Sequence, residues 1–471
     1  MTRVFLPHVI TDDSALGGSE IERSLRFIKA DSAYLSRTPS AQGDRRVFTL
    51  SWWMKLGKAG VTTPTTTIFS AQRSTLNPDF QINLYEHALI IMGNKDGNSS
   101  SYMMSLVTEQ LFRDPSAWYH CVVAFNTSDG TSSNRIKIYV NGSQVTNFAA
   151  GSTGLSHNTY PSSGDQTSWG TNEATQNIGR RYDGDKYFDG YLAEINYVDG
   201  SQLTADSFGF TDDQTGIWMP KRYEGTYGTN GFYLDVSDNS SAAALGIDKS
   251  PNGNDFTTNN FSVSAGAGND SLEDTPTNNF CTLNSVNQDS NTTLSEGSLK
   301  AAGSSSTAYS FHTQGTFVKS SGKWYYEVEY TANGGGTNSD LPAIGWARTT
   351  IRPTDNPTVS GGLCYRPARG DYVDLAGNNP TSKPTTSLGN VVQVAIDFDA
   401  GKIWFGNGGT FFESGNPSTG ANANITFTGG AELLSPFVRS LSSTFNFNFG
   451  QRPFSYTVPV SYTQSPSPRD S

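Results

Sequence analysis

The chain has 471 residues, a formal net charge of -11 and a pI near 5.0. With no Lys/Arg run longer than two, that balance excludes the basic stripe on which nucleic-acid phosphates bind. Cys121, Cys281 and Cys364 stand too far apart to write a disulfide framework or a zinc site, and no window approaches the roughly 18 apolar residues of a membrane span.

At roughly 150 residues per domain the length predicts two to four domains. The opening "MTRVFLPHVITDD" carries no secretory-signal pattern, and residues 1–23 are read as a docking segment ahead of the first strands. Period-2 alternation then dominates. In "FTLSWWMKL", Phe48, Leu50, Trp52, Met54 and Leu56 share one face and Thr49, Ser51 and Lys55 the other, which predicts a half-buried strand. Asn141-Gly142 predicts a tight hairpin. "LTADSF" at 203–208, with Thr204 as N-cap, is the best helix candidate. Residues 211–300 are rich in Asn, Asp, Ser and Gly yet carry regular aromatics such as Trp218, Tyr227, Phe256 and Phe280, so they predict an ordered connector rather than a solvated linker.

Alternation resumes in "KWYYEVEY", where Trp324, Tyr326, Val328 and Tyr330 oppose Tyr325, Glu327 and Glu329; the two glutamates are expected on a solvated face. "VQVAIDFD" and "FNFNFG" read the same way, and "GKIWFGNGGTFF" at 401–412 reads as a second glycine-turned hairpin. Trp52, Trp324 and Trp404 are assigned to core. The expected fold class is all-β: two antiparallel jelly-roll-type β-sandwiches at 24–210 and 301–460, joined by an ordered, helix-poor connector at 211–300, with a fraying tail at 461–471.

The segments "SLRFIKADSAYLSRT", "VFTLSWWMK", "AWYHCVVAFN", "KIYVNG", "NIGRR" and "YFDGYLAE" occur in an order that resembles a laminin-G-like domain of the concanavalin A-like class. "SGKWYYEVEY", "AIGWAR", "VAIDFDAGKIWFGNGG", "LLSPFVRS" and "FNFGQRPF" resemble a SPRY domain, a family of binding modules. The combination, with the connector wording "YGTNGFYLD" to "DTPTNNF", resembles bacteriophage virion proteins of the tail-fibre or structural kind. That resemblance implies localisation in a virion assembled in the host cytoplasm. Other virion proteins and host surface polysaccharide would be the partners, and a homo-oligomer, with trimers usual for fibres, the assembly. A capsid decoration or head-fibre protein is the alternative.

Catalysis is not expected. The glucanases of this class carry Glu-x-Asp-x-x-Glu, which sets two carboxylates roughly 5 Å apart on one strand face, and no such triplet occurs. No G-x-S-x-G elbow accompanies the five histidines; His120 reads as a packed strand residue. A polysaccharide depolymerase is therefore the least favoured reading. Sugar binding asks for flat rings beside hydroxyl-binding side chains, and two stretches offer them: Trp169, Arg180, Arg181, Tyr182 and Tyr187 in the first half, and Tyr365, Arg366, Arg369 and Tyr372 in the second. Each is equally readable as loop packing. No cofactor is expected beyond a structural calcium, which the laminin-G-like resemblance brings to the sandwich rim through Asp183, Asp185 and Asp189; a solvated turn is the plainer reading.

Overall fold

The computed structural model describes residues 18–58, 65–73, 79–94, 102–149, 158–304, 312–333, 342–353, 355–356, 358, 360–378 and 384–463. Within them, Phe48, Leu50, Trp52, Met54 and Leu56 of the strand Val47–Leu56 point into one core with Phe69, Phe80, Ile82, Phe125 and Trp169. Phe48 stacks on Phe125 at 4.4 Å and Trp52 meets Phe69 edge-on at 4.9 Å. Each such side chain, fully buried, contributes about 1.5–3 kcal/mol. Two antiparallel sheets enclose this core. One runs in the order Ser143–Val145, Ile136–Val140, Trp118–Asn126, Val47–Leu56, Gly190–Asp199, Ser24–Phe27, Ser271–Leu272. The facing sheet runs Thr257–Asn259, Tyr34–Arg37, Thr175–Ile178, Thr66–Gln72, Asp79–Tyr85, Ala88–Asn94, Tyr102–Leu111.

The first sheet departs from the expected half-buried pattern. Thr49, Ser51, Trp53 and Lys55, on its outer face, are all buried as well. Other parts of the chain cover them. Lys55 Nζ donates to Asp274 Oδ2 at 2.7 Å, Asn279 Oδ1 at 2.7 Å and the Phe280 carbonyl at 2.8 Å. Trp118 Nε1 donates to the other Asp274 oxygen at 3.0 Å. Trp53, Trp118 and Tyr191 share a single apolar cluster with Tyr326, Trp346 and Phe449 of the second sandwich, so the two halves pack directly on each other.

The stretch 211–300 does more than connect. Phe232–Leu234 pairs with Gly190–Asp199, Thr257–Asn259 with Tyr34–Arg37, and Ser271–Leu272 with Ser24–Phe27, so three of its strands extend the first sandwich. Leu283–Gln288 and Thr292–Ser295 belong to the second. Where the halves meet, Arg26 and Arg452 both donate to the Ala267 carbonyl, and Arg26 also chelates Asp270 Oδ1 at 3.1 Å through Nε and Nη2. Burial pulls the Arg452 guanidinium down to about 10. Of the proposed docking segment, residues 18–23 lie against the connector: Ile21 is buried and exchanges hydrogen bonds with Thr277 Oγ1. Residues 1–17 fall outside the described set.

The second sandwich has a sheet ordered Leu283–Gln288, His312–Gly315, Leu434–Arg439, Ala343–Arg348, Gly362–Arg366, Asp371–Val373. Its partner runs Thr292–Ser295, Lys300–Gly303, Thr444–Asn448, Lys323–Ala332, Val391–Asp397, Lys402–Asn407, Thr410–Phe411. Both predicted hairpins turn through two left-handed residues: Asn141 and Gly142 (φ 46° and 82°), and Gly408 and Gly409 (φ 63° and 86°). Gly142 also lies so close under the Trp218 ring that a β-carbon would come within 2.4 Å of it.

Glu327 is a correction. It is buried, not solvated, and accepts from Tyr325 OH at 2.9 Å and from the Ser455 and Tyr456 backbone N–H groups at 2.7 and 2.9 Å. The chain after Arg452 folds back over this face, ending in a parallel bridge of Thr463 to Trp324; the remainder of the predicted fraying tail, 464–471, lies outside the described residues. Trp52 and Trp404 are fully buried, whereas Trp324 is only half-buried. Helix among the described residues is limited to four short 3-10 turns, one of them Ala205–Ser207 with Thr204 at its N-cap and no side-chain cap bond.

Candidate functional site

After the strand Thr175–Ile178 the chain turns at Gly179 (φ 89°), which is packed so close to Phe27 that a β-carbon would fall 2.4 Å from the ring. The following loop closes on itself: Phe188 N–H donates to Gly179 O at 2.8 Å and Arg181 N–H to Asp185 O at 2.9 Å. The second sheet holds it from below. Ser70 Oγ donates to Arg180 O at 2.8 Å, Thr67 N–H to Lys186 O at 2.8 Å, and Tyr182 OH to the buried Asp79 at 2.9 Å.

On this fixed loop the Arg180 guanidinium lies 3.5 Å over the Tyr34 ring, with Nε donating to Asn177 Oδ1 at 3.0 Å. Tyr187 stands beside it, its ring 6.3 Å from that of Tyr34. Tyr34, Arg180 and Tyr187 are half-exposed, over the buried Asn177. A guanidinium stacked on a ring keeps donors in a plane beside an apolar face, the combination that recognises sugar hydroxyls and C–H groups together. Tyr34 was not among the sequence candidates; its signal was the alternation in "AYLSR", which puts it opposite buried Leu35.

The other candidates separate from this platform. Trp169 is fully buried in the first core, edge-on to Phe69 at 5.8 Å, and has no face to offer a ligand. Tyr365 and Tyr372 are likewise fully buried: Tyr372 stacks on Phe405 at 5.7 Å, and Tyr365 OH donates to the Pro384 carbonyl at 2.6 Å. Burial pushes the Tyr365 phenol up to about 12. Arg366 is buried in a two-pronged bond with Asp371, at 2.6 and 2.7 Å. Only Arg369 of that group reaches solvent, and it too pairs with Asp371, at 2.8 Å. The second patch is packing.

Asp183, Asp185 and Asp189 do not converge on a cation. Arg181 pairs with two of them instead, donating to Asp183 at 2.8 Å and lying 3.8 Å from Asp185. The Arg181 hydrogen bond holds the Asp183 carboxyl below the usual range, and the Lys186 backbone N–H does the same for Asp185. Asp189 faces away, toward Gly57, and burial raises its carboxyl to about 6. Among the described residues no group of three or more His, Cys, Asp or Glu side chains is arranged to hold a metal ion.

One Ser–His contact invites a catalytic reading: Ser51 Oγ lies 2.9 Å from His120 Nε2. Trp218 Nε1, which can only donate, bonds His120 Nδ1 at 3.0 Å. The neutral ring must therefore carry its proton on Nε2 and donate to Ser51, the reverse of base activation. Stacked between Trp53 and Trp218 and fully buried, the imidazole is driven down to about 3. It is a structural group.

Comparison with known families agrees with these two sandwiches. Residues 30–207 match the Laminin_G_3 model, described as the concanavalin A-like lectin/glucanases superfamily, and residues 323–452 match the SPRY domain. The chain thus carries a concanavalin A-like, laminin-G-like domain followed by a SPRY domain. Among solved structures, similarity extends to a native heptameric SAP-like pentraxin from Limulus polyphemus, at 18% identity over 39% of this chain and 78% of that one, with a TM-score of 0.28. It extends also to the SPRY domain of human HERC1, at 15% identity over 33% and 91%, TM-score 0.24. The TRIM65 PSpry domain matches at 15% identity over 36% and 92%, TM-score 0.27. No curated protein matches the chain.

Proposed function

We propose that this chain is a non-enzymatic bacteriophage virion protein, a tail fibre or adhesin whose concanavalin A-like half recognises host surface glycan. The observation that carries the glycan reading is the Tyr34–Arg180–Tyr187 platform, half-exposed, with Tyr34 on a strand of the sheet and Arg180 and Tyr187 on a loop that three hydrogen bonds fix to that sheet. Preorganisation of this kind reduces the ordering cost that weakens sugar binding. The virion assignment is supported by the resemblance of the whole arrangement, connector wording included, to phage tail-fibre and structural proteins. Assembly is proposed to be a closed homo-oligomer, with other virion proteins as partners.

The decisive experiment is immunogold labelling of the intact particle combined with an adsorption assay. Label at the tail tip, with the purified chain competing for host adsorption, supports the adhesin. Label on the capsid without competition transfers the protein to the decoration class, and release of reducing sugar from envelope polysaccharide would overturn the non-enzymatic assignment.

A further inference from the structure

We propose that the Tyr34–Arg180–Tyr187 platform takes an acidic sugar residue, whose carboxylate or phosphate oxygens meet the open end of the Arg180 guanidinium while Asn259, on a connector strand, accepts one of its hydroxyls. The inference rests on the glycan-binding reading above and deepens it by naming the class of sugar and a further residue.

Charge pairing on the loop sets Arg180 apart. Residues 180–187 hold three cations, Arg180, Arg181 and Lys186, against two carboxylates, Asp183 and Asp185. Arg181 bonds Asp183 at 2.8 Å, and Asp185 lies 3.5 Å from Lys186 Nζ and 3.8 Å from Arg181. Arg180 is the cation left over. Among the described residues it forms no salt bridge, and its Nε bond to Asn177 Oδ1 is its one hydrogen bond. The N–H groups on Nη1 and Nη2 are all unspent, in one plane, on a half-exposed side chain.

That end of the guanidinium is also uncovered. Its neighbour Gly184 is left-handed, at φ 80°, and carries no side chain where a β-carbon would come 3.9 Å from Nη1. A guanidinium fork matches the paired oxygens of a carboxylate or phosphate. Stacking on Tyr34 holds the fork in place without neutralising it, so an arriving anion has no internal ion pair to displace.

The connector supplies the second contact. Thr257–Asn259 lies alongside Tyr34–Arg37 with Asn259 directly opposite Tyr34, which puts both side chains on the outer face roughly 5 Å apart. Asn259 Nδ2 donates to Ser36 Oγ and to the Thr257 carbonyl, both at 3.2 Å. The amide is thereby oriented, and Oδ1 remains as an acceptor on a half-exposed residue. Tyr34 stands between this acceptor and the strand that leads into Arg180. A ring lying across Tyr34 can therefore meet Asn259 through a hydroxyl and Arg180 through its acid group. The chain's net charge of -11 opposes polyanions only at range, since screening sets in beyond roughly 8 Å at physiological salt; at contact Arg180 decides.

The test uses the full chain on an array of bacterial surface glycans with uronate-bearing, phosphate-bearing and neutral members, followed by calorimetric titration of the tightest binder before and after its carboxyl groups are reduced or its phosphate removed. The tightest binder should be acidic, uronate or phosphate according to which set it comes from, and loss of its acid group should weaken it about tenfold. Arg180→Gln should bind the native and neutralised forms alike. Asn259→Ala should weaken both forms several-fold and keep the preference, with melting unchanged in either variant. A preference that survives Arg180→Gln seats the anion elsewhere and overturns the assignment, and wild-type affinity in Asn259→Ala removes the connector contact. Neutral glycans bound as tightly as acidic ones, with binding lost in Tyr187→Ala, remove the acidic class and leave the glycan reading standing. Failure of every array glycan to bind removes both.

Discussion

Lys55 and Asp274 face each other at 2.7 Å with no solvent exposure of either side chain, joining the central strand of the first sandwich to the stretch that leads into the second. The ammonium uses Asn279 and the Phe280 carbonyl as further acceptors, and the carboxylate also takes Trp118 Nε1 and the Phe280 N–H. A buried pair so fully bonded is harmless intact and costly when halved. Lys55→Met should destabilise the chain by about 3–5 kcal/mol, read by urea titration, and Lys55→Met/Asp274→Leu should recover a large part of that loss. Equal loss in the single and double variants would show that the pair itself is not the source.

A fragment ending at the boundary legible in the sequence should fail. Residues 24–210 lack Phe232–Leu234, Thr257–Asn259 and Ser271–Leu272, and would bare Trp53, Lys55 and Trp118. Size-exclusion chromatography should find aggregate where the full chain runs as a defined species. A soluble, cooperatively melting 24–210 fragment would refute the dependence on the connector.

Acid should destabilise the fold through two histidines. Burial holds His120 at about 3 and His312 at about 4, below the ordinary imidazole value. Groups depressed in the folded state are protonated first in the unfolded chain, so stability is full above about pH 6.5 and declines as pH falls toward 4 and 3. The melting temperature should drop across that window, and His120→Gln should make the decline shallower. An unchanged slope would count against His120 as a source.

Exposed and buried aromatics should separate by assay. Tyr34→Ala and Arg180→Ala are expected to lower affinity for host envelope polysaccharide about tenfold, near 1.4 kcal/mol, with little change in melting. Tyr372→Ala, which empties a site against Phe405 and Phe412, should instead cost about 3–5 kcal/mol of stability. Tyr372→Ala abolishing binding while melting normally would return the second patch to consideration.

The candidate site was legible in part. Arg180, Tyr182 and Tyr187 were found because ring and guanidinium residues cluster in one loop-like stretch. The same compositional test also selected Trp169, Tyr365 and Tyr372, since a ring that fills a core and a ring that meets a ligand have the same side chain. Tyr34 was missed because its partner Arg180 comes from a distant part of the chain. The calcium expectation came with the laminin-G-like resemblance, which says nothing of Arg181, and in the structure Arg181 is bonded to the first of the three aspartates.

Local rules in the sequence determined the strands, the two hairpin turns and the all-β class, because period-2 alternation and left-handed turn residues act over a few neighbours. Only the tertiary structure decided which second faces are covered. Lys55 and Glu327 read as solvent-facing because alternation assumes one wet face per sheet; burial depends on what a remote segment lays over that face, here the connector and the chain after Arg452.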